Sequence, residues 1–384
     1  MRKLSTNKIT NERINEYLKR MRINGCLIVL FVYSLLYPLM ASPAFASQVL
    51  DPTDIGIGAR PLGLGKAFTA IANDGSAIFT NPAGLAQSNN LKVISMSGNL
   101  MSEVPYTMVG GSYPGLNGTL GIGYVGLGVS GINETTIVSG TPEITGNQGS
   151  FTNSAINISY AQAINNISIF KDPKVGATLK LISQGFSGTS SFEAGKGTGF
   201  DIDLGAIANI NEDMTAGLIL KNIIPGNNFQ SDEIPMVVQG GITKTFSKYN
   251  VLTALDAEYN RTILFHAGAE WNPIQLLKLR AGLDQKPDAG STITNLAAGL
   301  GVTFKGFTFD YAYHTYAGIS DFSTHYFSIG YVGEEKAKVV APAPVQSAPT
   351  ILQTTPSPVK ATQVYKPIVP QSKVTPKTPV KKKK

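Results

Sequence analysis

Residues Gly58 to Gln87 read GARPLGLGKAFTAIANDGSAIFTNPAGLAQ, and the rest of the chain is best understood outward from this stretch. Gly63, Gly65, Ala67, Ala70 and Ala72 recur at the spacing of small residues on a helix, which predicts a thin element able to pack inside something narrow. Asn73, Asp74 and Gly75 supply the turn chemistry that ends a helix. Asn81 is placed to cap a second helical turn, because its side-chain oxygen accepts a backbone N–H and Pro82 suits the first helical position. The stretch therefore reads as a plug, with a soluble core as the plainer alternative.

What surrounds it favours the plug. Forty glycines, 15% charged residues and a single Trp in 384 residues suit tight turns and closely approaching strands. The net charge of +7 is unevenly spread: 1–46 carry seven Lys/Arg against two Glu, and 336–384 carry ten Lys and no acid. The interval between holds 15 basic and 23 acidic residues, so the folded part is acidic and nucleic acid is excluded as a partner.

The basic lead Arg2, Lys3, Lys8, Arg13, Lys19, Arg20 and Arg22, the apolar run Cys26 to Met40 and the ending Ala44-Phe45-Ala46 form the three-part pattern of a secretory signal over 1–46. The apolar run falls short of the roughly 20 residues a spanning helix needs, which disfavours a membrane anchor. Cys26 is the only cysteine and precedes the cleavage point, so the exported chain has no thiol or disulfide chemistry.

From Leu91 onward apolar and polar residues alternate with period two between Gly, Asn, Asp and Pro clusters. Fourteen segments result: 91–100, 104–114, 117–130, 152–164, 174–186, 197–209, 213–223, 235–246, 249–260, 262–271, 274–285, 292–304, 306–316 and 322–332. Each has roughly the length a tilted strand needs to cross a bilayer. Short links at 115–116, 211–212, 247–248, Asn272-Pro273 and 305–306 alternate with long ones at 131–151, 187–196, 224–234, 286–291 and 317–321, the asymmetry of outer-membrane barrels.

The faces are distinct. Phe307, Phe309, Tyr311 and Tyr313 oppose Thr308, Asp310, Ala312 and His314, while Leu277, Leu279 and Leu283 oppose Lys278, Arg280 and Asp284. With apolar faces assigned to lipid, the expected lumen charges are Lys180, Asp201, Asp203, Asp256, Glu258, Lys278, Arg280 and Asp310. Trp271, Phe246 and Tyr249 fall where interfacial aromatics are expected. A secreted β-sandwich or solenoid is the competing architecture. The predicted fold is thus all-β: a transmembrane, antiparallel, up-and-down barrel of about 14 strands over 91–333, in the outer membrane of a Gram-negative cell. A lumenal plug occupies 47–90 and a disordered Pro/Lys-rich periplasmic tail 334–384.

The blocks GARPLGLGKAFTA, AND and NPAGLA resemble the N-terminal signature of PorV/PorQ-type outer-membrane proteins, which are similar to the FadL fatty-acid transporters. The resemblance implies a fourteen-stranded barrel with its N-terminal segment in the lumen, and Asn81, Pro82 and Ala83 match the family's Asn-Pro-Ala. It further implies escort or processing of proteins exported by type IX secretion, or, for FadL-like members, passage of hydrophobic small molecules such as fatty acids. Gly63, Gly65, Asn73, Asp74, Asn81, Pro82 and Ala83 are the expected plug and gating residues. The tail ending in Lys381 to Lys384 departs from such barrels; it reads as an electrostatic tether to anionic cell-wall polymer or to an acidic periplasmic partner, or as a solvated spacer.

No catalytic pattern stands out. Gly121, Gly123 and Gly126 match G-x-G-x-x-G but sit inside a strand, where packing explains them. His266, His314 and His325 lack ligand spacing, so no metal or other cofactor is expected. Ser323 and Ser328 flank His325, but neither is marked as activated, and the expected class is non-enzymatic.

Overall fold

The computed structural model describes residues 51–100, 103–164, 170–188, 196–224, 228–229, 232–288, 291–317 and 323–334. The expected signal sequence, 47–50 of the expected plug and 335–384 of the expected tail lie outside the described residues. Period-two alternation produces strands because successive side chains project to opposite faces, and the faces here meet different surroundings. Among the described residues fourteen strands form the barrel: β1 (Lys92–Leu100), β2 (Val104–Gly115), β3 (Gly118–Val138), β4 (Thr141–Ala163), β5 (Lys171–Ser187), β6 (Gly197–Asn209), β7 (Met214–Lys221), β8 (Val237–Phe246), β9 (Val251–Asn260), β10 (Thr262–Ile274), β11 (Leu277–Asp288), β12 (Ser291–Phe304), β13 (Phe307–Thr315) and β14 (Ser323–Val332), and a separate two-stranded pair joins Asn228–Phe229 to Asp232–Glu233.

Each pairs antiparallel with its sequence neighbours, and β1 pairs with β14 from Lys92↔Val332 to Gly98↔Tyr326, so the sheet closes. Closure matters physically: no strand edge is left to be satisfied by water that a bilayer core does not contain. Among the described residues no helix is long and apolar enough to span a membrane; the strands cross instead. Phe200, Ile122, Leu255, Phe265, Leu296, Phe309 and Phe327 belong to an outward band of large apolar side chains. Leaving each in water forfeits roughly 1.5–3 kcal/mol, so the band belongs in hydrocarbon and the molecule is an outer-membrane β-barrel. Trp271, Phe246 and Tyr249 also face outward, near one rim. That rim, to which Lys92 and Val332 belong, is the periplasmic or inner end of an even-stranded barrel.

The structure corrects several expectations. Residues 131–151 are not a loop: β3 and β4 continue as a ladder to Val138↔Thr141, forming an arm beyond the rest of the wall. Its polar Asn, Thr and Gly residues satisfy water on both faces while the two strands satisfy one another. The loop asymmetry is also weaker than expected. At the outer end only 101–103 separate β1 from β2 and Arg261 alone separates β9 from β10, while at the inner end 164–170 is a longer link. Strand β10 runs through Asn272-Pro273 with an irregularity before Ile274, so the turn falls at Gln275-Leu276.

One stretch of wall is not a ladder. Strand β7 ends at Lys221 and its last pair with β6 is Leu204↔Leu220, although β6 continues toward Gly197. Asn222, at φ 55°, turns the chain away. The Asn222 and Ile224 N–H groups donate to Asp203 Oδ1 (2.9 Å) and Asp201 Oδ1 (3.1 Å), carboxylates standing in for carbonyl acceptors.

Residues 51–90 lie within the barrel as short pieces: 3-10 turns at Pro52–Ile55 and Pro82–Gln87 and single helical turns at Ala59–Gly63 and Ala77–Thr80. The longer helix expected over 63–72 is therefore not formed. Gly65 (φ 60°) and Lys66 (φ 64°) reverse the chain, and the Phe68 and Thr69 N–H groups donate to Asp256 Oδ2 at 3.0 and 2.9 Å instead of to a helical carbonyl.

A purely charged lumen is also corrected. Ile94, Met96, Tyr106, Met108, Val125 and Ile182 of β1, β2, β3 and β5 pack on Leu62, Phe68, Ile78, Phe79 and Leu85, so part of the interior is an apolar core like that of a soluble protein. With a segment filling it, apolar wall there meets protein rather than water.

Candidate functional site

The wall approaches the inner segment at backbone distance because its facing residues are glycines. A Cβ on Gly282 would lie 2.2 Å from the Gly65 nitrogen, and one on Gly268 would lie 2.4 Å from the Leu64 oxygen. Gly63 meets Gly299, while Pro82 and Ala83 meet Gly176 and Gly205. Gly121 and Gly123, from the G-x-G-x-x-G match, face Ile78, Leu85 and Phe79, so packing against the inner segment is what they serve. Asn81 caps its turn by accepting from the Ala83 N–H (3.2 Å) and donates from Nδ2 to the Thr69 carbonyl (2.8 Å), fully buried.

The eight expected lumen charges all project to the interior side. Lys180, Asp201, Asp203, Asp256 and Arg280 are buried, while Glu258, Lys278 and Asp310 are half-buried. Five of them fall into two groups, Lys180, Asp203 and Glu258 toward the outer end and Arg280 and Asp310 toward the inner; Asp256 instead accepts from the Phe68 and Thr69 N–H groups and Asp201 from the Ile224 N–H. In the outer group Lys180 Nζ contacts Asp51 Oδ2 (2.7 Å) and Asp203 Oδ1 (2.9 Å) and donates to the Asn222 side-chain oxygen. This ties the leading residues of the segment to the wall. Lys221 reaches Asp54 (3.4 Å), and Lys66 donates to the Asp54 carbonyl (2.8 Å). His266 and His314 converge on Asp284 at 2.9 and 3.1 Å, with Glu258 3.6 Å from His266. His325 is not with them; it faces outward and bonds Tyr311 Oη at 2.8 Å. Ser328 projects to the opposite, inner face and accepts from the Ala59 N–H (2.7 Å), so the sequence pairing of His325 with Ser328 is not a spatial one. Among the described residues no His, Cys, Asp and Glu cluster has the arrangement of a metal site.

In the inner group Arg60 donates from Nε and Nη2 to the two Glu270 oxygens at 2.9 and 3.2 Å, and from Nη1 to Asn73 (2.6 Å) and Asp74 (3.2 Å). Arg280 joins Glu270 (2.7 Å) to Asp310 (2.6 Å). Buried charges are tolerated here because each is paired and hydrogen-bonded. Burial works against the Arg60 charge, but Glu270 and Asp74 more than offset it and hold the guanidinium protonated.

Two acids of the leading turn are displaced in opposite directions. Burial would raise the Asp51 pKa, yet Lys180 and the Thr53 N–H overcome it and bring it to about 2. Asp54 is pushed up to about 6: burial raises it most, Lys221 offsets part, and Asp51 and Glu258 push it further.

Asp51, Arg60, Lys66, Lys221, His266, Glu270 and Asp284 were not singled out from sequence as members of these groups. Strand parity alone identifies the last three, since Trp271 faces out and Glu270 and His266 therefore face in. Nothing local marks Asp51 or Arg60.

Above the inner segment lies a cavity of about 510 Å³ near the outer end. Ile55, Ile57, Phe68, Phe79, Leu100 and Leu264 give it apolar walls, and Asp54, Lys66, Lys221, Glu258 and Lys286 bring charge to its lining. Lys286 Nζ stands 4.5 Å over the Tyr316 ring.

No family model and no curated protein matches the chain. Among solved structures it is similar to CymD, a monoaromatic hydrocarbon channel, with a TM-score of 0.53 at 15% identity over 73% of this chain and 97% of that one. The toluene transporter TodX of Pseudomonas putida gives 0.53 at 12%, covering 75% and 100%. The toluene transporter TbuX of Ralstonia pickettii gives 0.51 at 12%, covering 73% and 99%. At these identities the likeness is one of fold.

Proposed function

We propose that this barrel is a non-enzymatic channel for hydrophobic small molecules, taken up from outside the cell into the cavity above the inner segment. The cavity carries the reading: its volume of about 510 Å³ and its Ile, Leu and Phe walls suit a small apolar or amphipathic guest, not a polypeptide. The fold likeness to channels for toluene and monoaromatic hydrocarbons supports the same reading. Of the two roles that the PorV/FadL resemblance implies, passage of hydrophobic molecules is therefore favoured over escort of exported proteins. The expected residues Gly63, Gly65, Asn73, Asp74, Asn81, Pro82 and Ala83 hold the plug in place, and of the lumen charges Lys180 and Asp256 anchor it directly, through Asp51 and through the Phe68 and Thr69 N–H groups, while Glu258 borders the cavity.

The test is uptake of toluene and of oleate by cells whose lipopolysaccharide-coated outer membrane carries or lacks the barrel, each compared with a hydrophilic sugar. Entry of either hydrophobic probe, reduced at least severalfold by Leu264→Trp, is the expected result. The tryptophan fills the cavity at a packing cost of about 1–3 kcal/mol. Uptake no faster than by cells lacking the barrel, or uptake indifferent to Leu264→Trp, overturns the reading.

A further inference from the structure

Two hollows lie against consecutive residues of one short helix. Pro61 borders the outer cavity. Arg60 borders a second cleft of about 240 Å³, lined also by Asp74, Lys278, Thr308 and Tyr331, toward the inner rim where Gly306 and Val332 lie. The turn Ala59–Gly63 thus separates an outer chamber from an inner one. We infer that Arg60 is the gate residue between them: the route of a permeating molecule runs from the cavity past this turn into the inner cleft, and the Arg60 ion pairs hold the turn across it. The inference rests on the channel reading and adds the direction of exit.

A five-residue helix has no stability of its own, so its position is set by what it is tied to. Arg60 is the charged tie. Its two-point contact with Glu270 on β10 and its bonds to Asn73 and Asp74 join two parts of the inner segment to the wall. The second tie is neutral, from the Ala59 N–H to Ser328 Oγ on β14. The wall side of the latch is self-sufficient, because Arg280 holds Glu270 at 2.7 Å and Asp310 at 2.6 Å whether or not Arg60 is present. Loss of the Arg60 contact therefore frees the turn without leaving Glu270 unpaired, which is the asymmetry a reversible gate requires. The competing exit is sideways, through the interrupted β6–β7 ladder.

Single-channel conductance in potassium chloride reads the gate without any hydrophobic ligand. Arg60→Gln and Arg60→Ala are expected to raise the open fraction roughly tenfold, since the loss of a hydrogen bond to a charged group is worth about that much or more. Arg60→Lys, which keeps the charge but not the two-point geometry, falls between them and wild type. An Ala59→Cys/Ser328→Cys pair in the Arg60→Ala background restores wild-type closure when oxidised and releases it when reduced. Heat-modifiable gel migration controls for folding; should Arg60→Ala not fold, the oxidised and reduced cysteine pair in the otherwise wild-type chain carries the test. Unchanged conductance in the Arg60 variants, or toluene delivery undiminished by the oxidised pair, overturns the gate and leaves the sideways exit. Toluene uptake measured on the same proteins separates the two readings: uptake without Arg60 dependence sinks only the gate, whereas no uptake at all sinks the channel.

Discussion

At the scale of single residues, the contacts that matter join the inner segment to the wall, and small changes there have large effects. Asn81 satisfies two backbone groups that no other side chain reaches, the Ala83 N–H and the Thr69 carbonyl. Asn81→Ala orphans both in a buried site and is expected to cost about 1–3 kcal/mol, seen as faster hydrogen exchange over 81–87 while strand protection is unchanged. Gly282→Ala places a methyl within 2.2 Å of the Gly65 backbone nitrogen, where neither chain has a flexible side chain to give way. It should lower the thermal midpoint by the equivalent of about 1–3 kcal/mol, and Gly240→Ala, whose added carbon meets nothing closer than 4.0 Å, serves as the control. The role of such glycines was legible only in part: their abundance pointed to close approach, but the partner of each is set by contacts hundreds of residues apart.

At the scale of elements, the leading turn Pro52–Ile55 has a pH dependence that follows from two acids with opposite displacements. With Asp54 raised from 3.8 to about 6, the seated segment holds a proton that the free segment has lost, so seating weakens as pH rises through about 6. Asp51, lowered from 3.8 to about 2, contributes seating that is present above 3.8 and lost as pH falls toward about 2. A spin label near residue 56 should therefore gain mobility as pH rises through about 6 in the wild type and not in Asp54→Asn; equal profiles would refute the assignment. The β3–β4 arm makes a second prediction. Pairing of β4 with β5 begins only at Ser150↔Ser187, so joining Ser130 to Ser150 by a short turn should leave the barrel's heat-modifiable migration unchanged. Strand positions were legible because bilayer and lumen impose opposite demands on alternate residues. The arm was not, since alternation fades where both faces meet water, and the helix expected over 63–72 was not, because propensity yields there to wall contacts through Asp256.

At the scale of the whole molecule, two solvents act on one sheet. Lipid explains the outer face throughout, but the inner face is mainly apolar along β1 to β3, mixed along β4 to β6, where Asn157, Ser159, Lys180, Asp201 and Asp203 are buried, and charged along β9 to β13, because the inner segment turns a different side to each. Sequence alternation reveals which face is inward without revealing what fills the interior, so the charges were placed and their partners were not. Lys180 illustrates the gap: its parity was readable, whereas its pairing with Asp51 depends on the segment's path. Lys180→Met should loosen that path, raising protease cleavage near residue 51 severalfold in detergent while the strands stay protected. There is also a consequence for how the protein is made. The segment touches Gly268, Gly282 and Gly299 with no clearance, and it enters the first strand at Lys92, on the very seam where the first and last strands zip together. A finished cylinder leaves no room for it to be threaded afterwards. It must act as a mandrel, with the hoop of strands drawn shut around it, so its removal should stall biogenesis at an unclosed sheet rather than yield an empty tube.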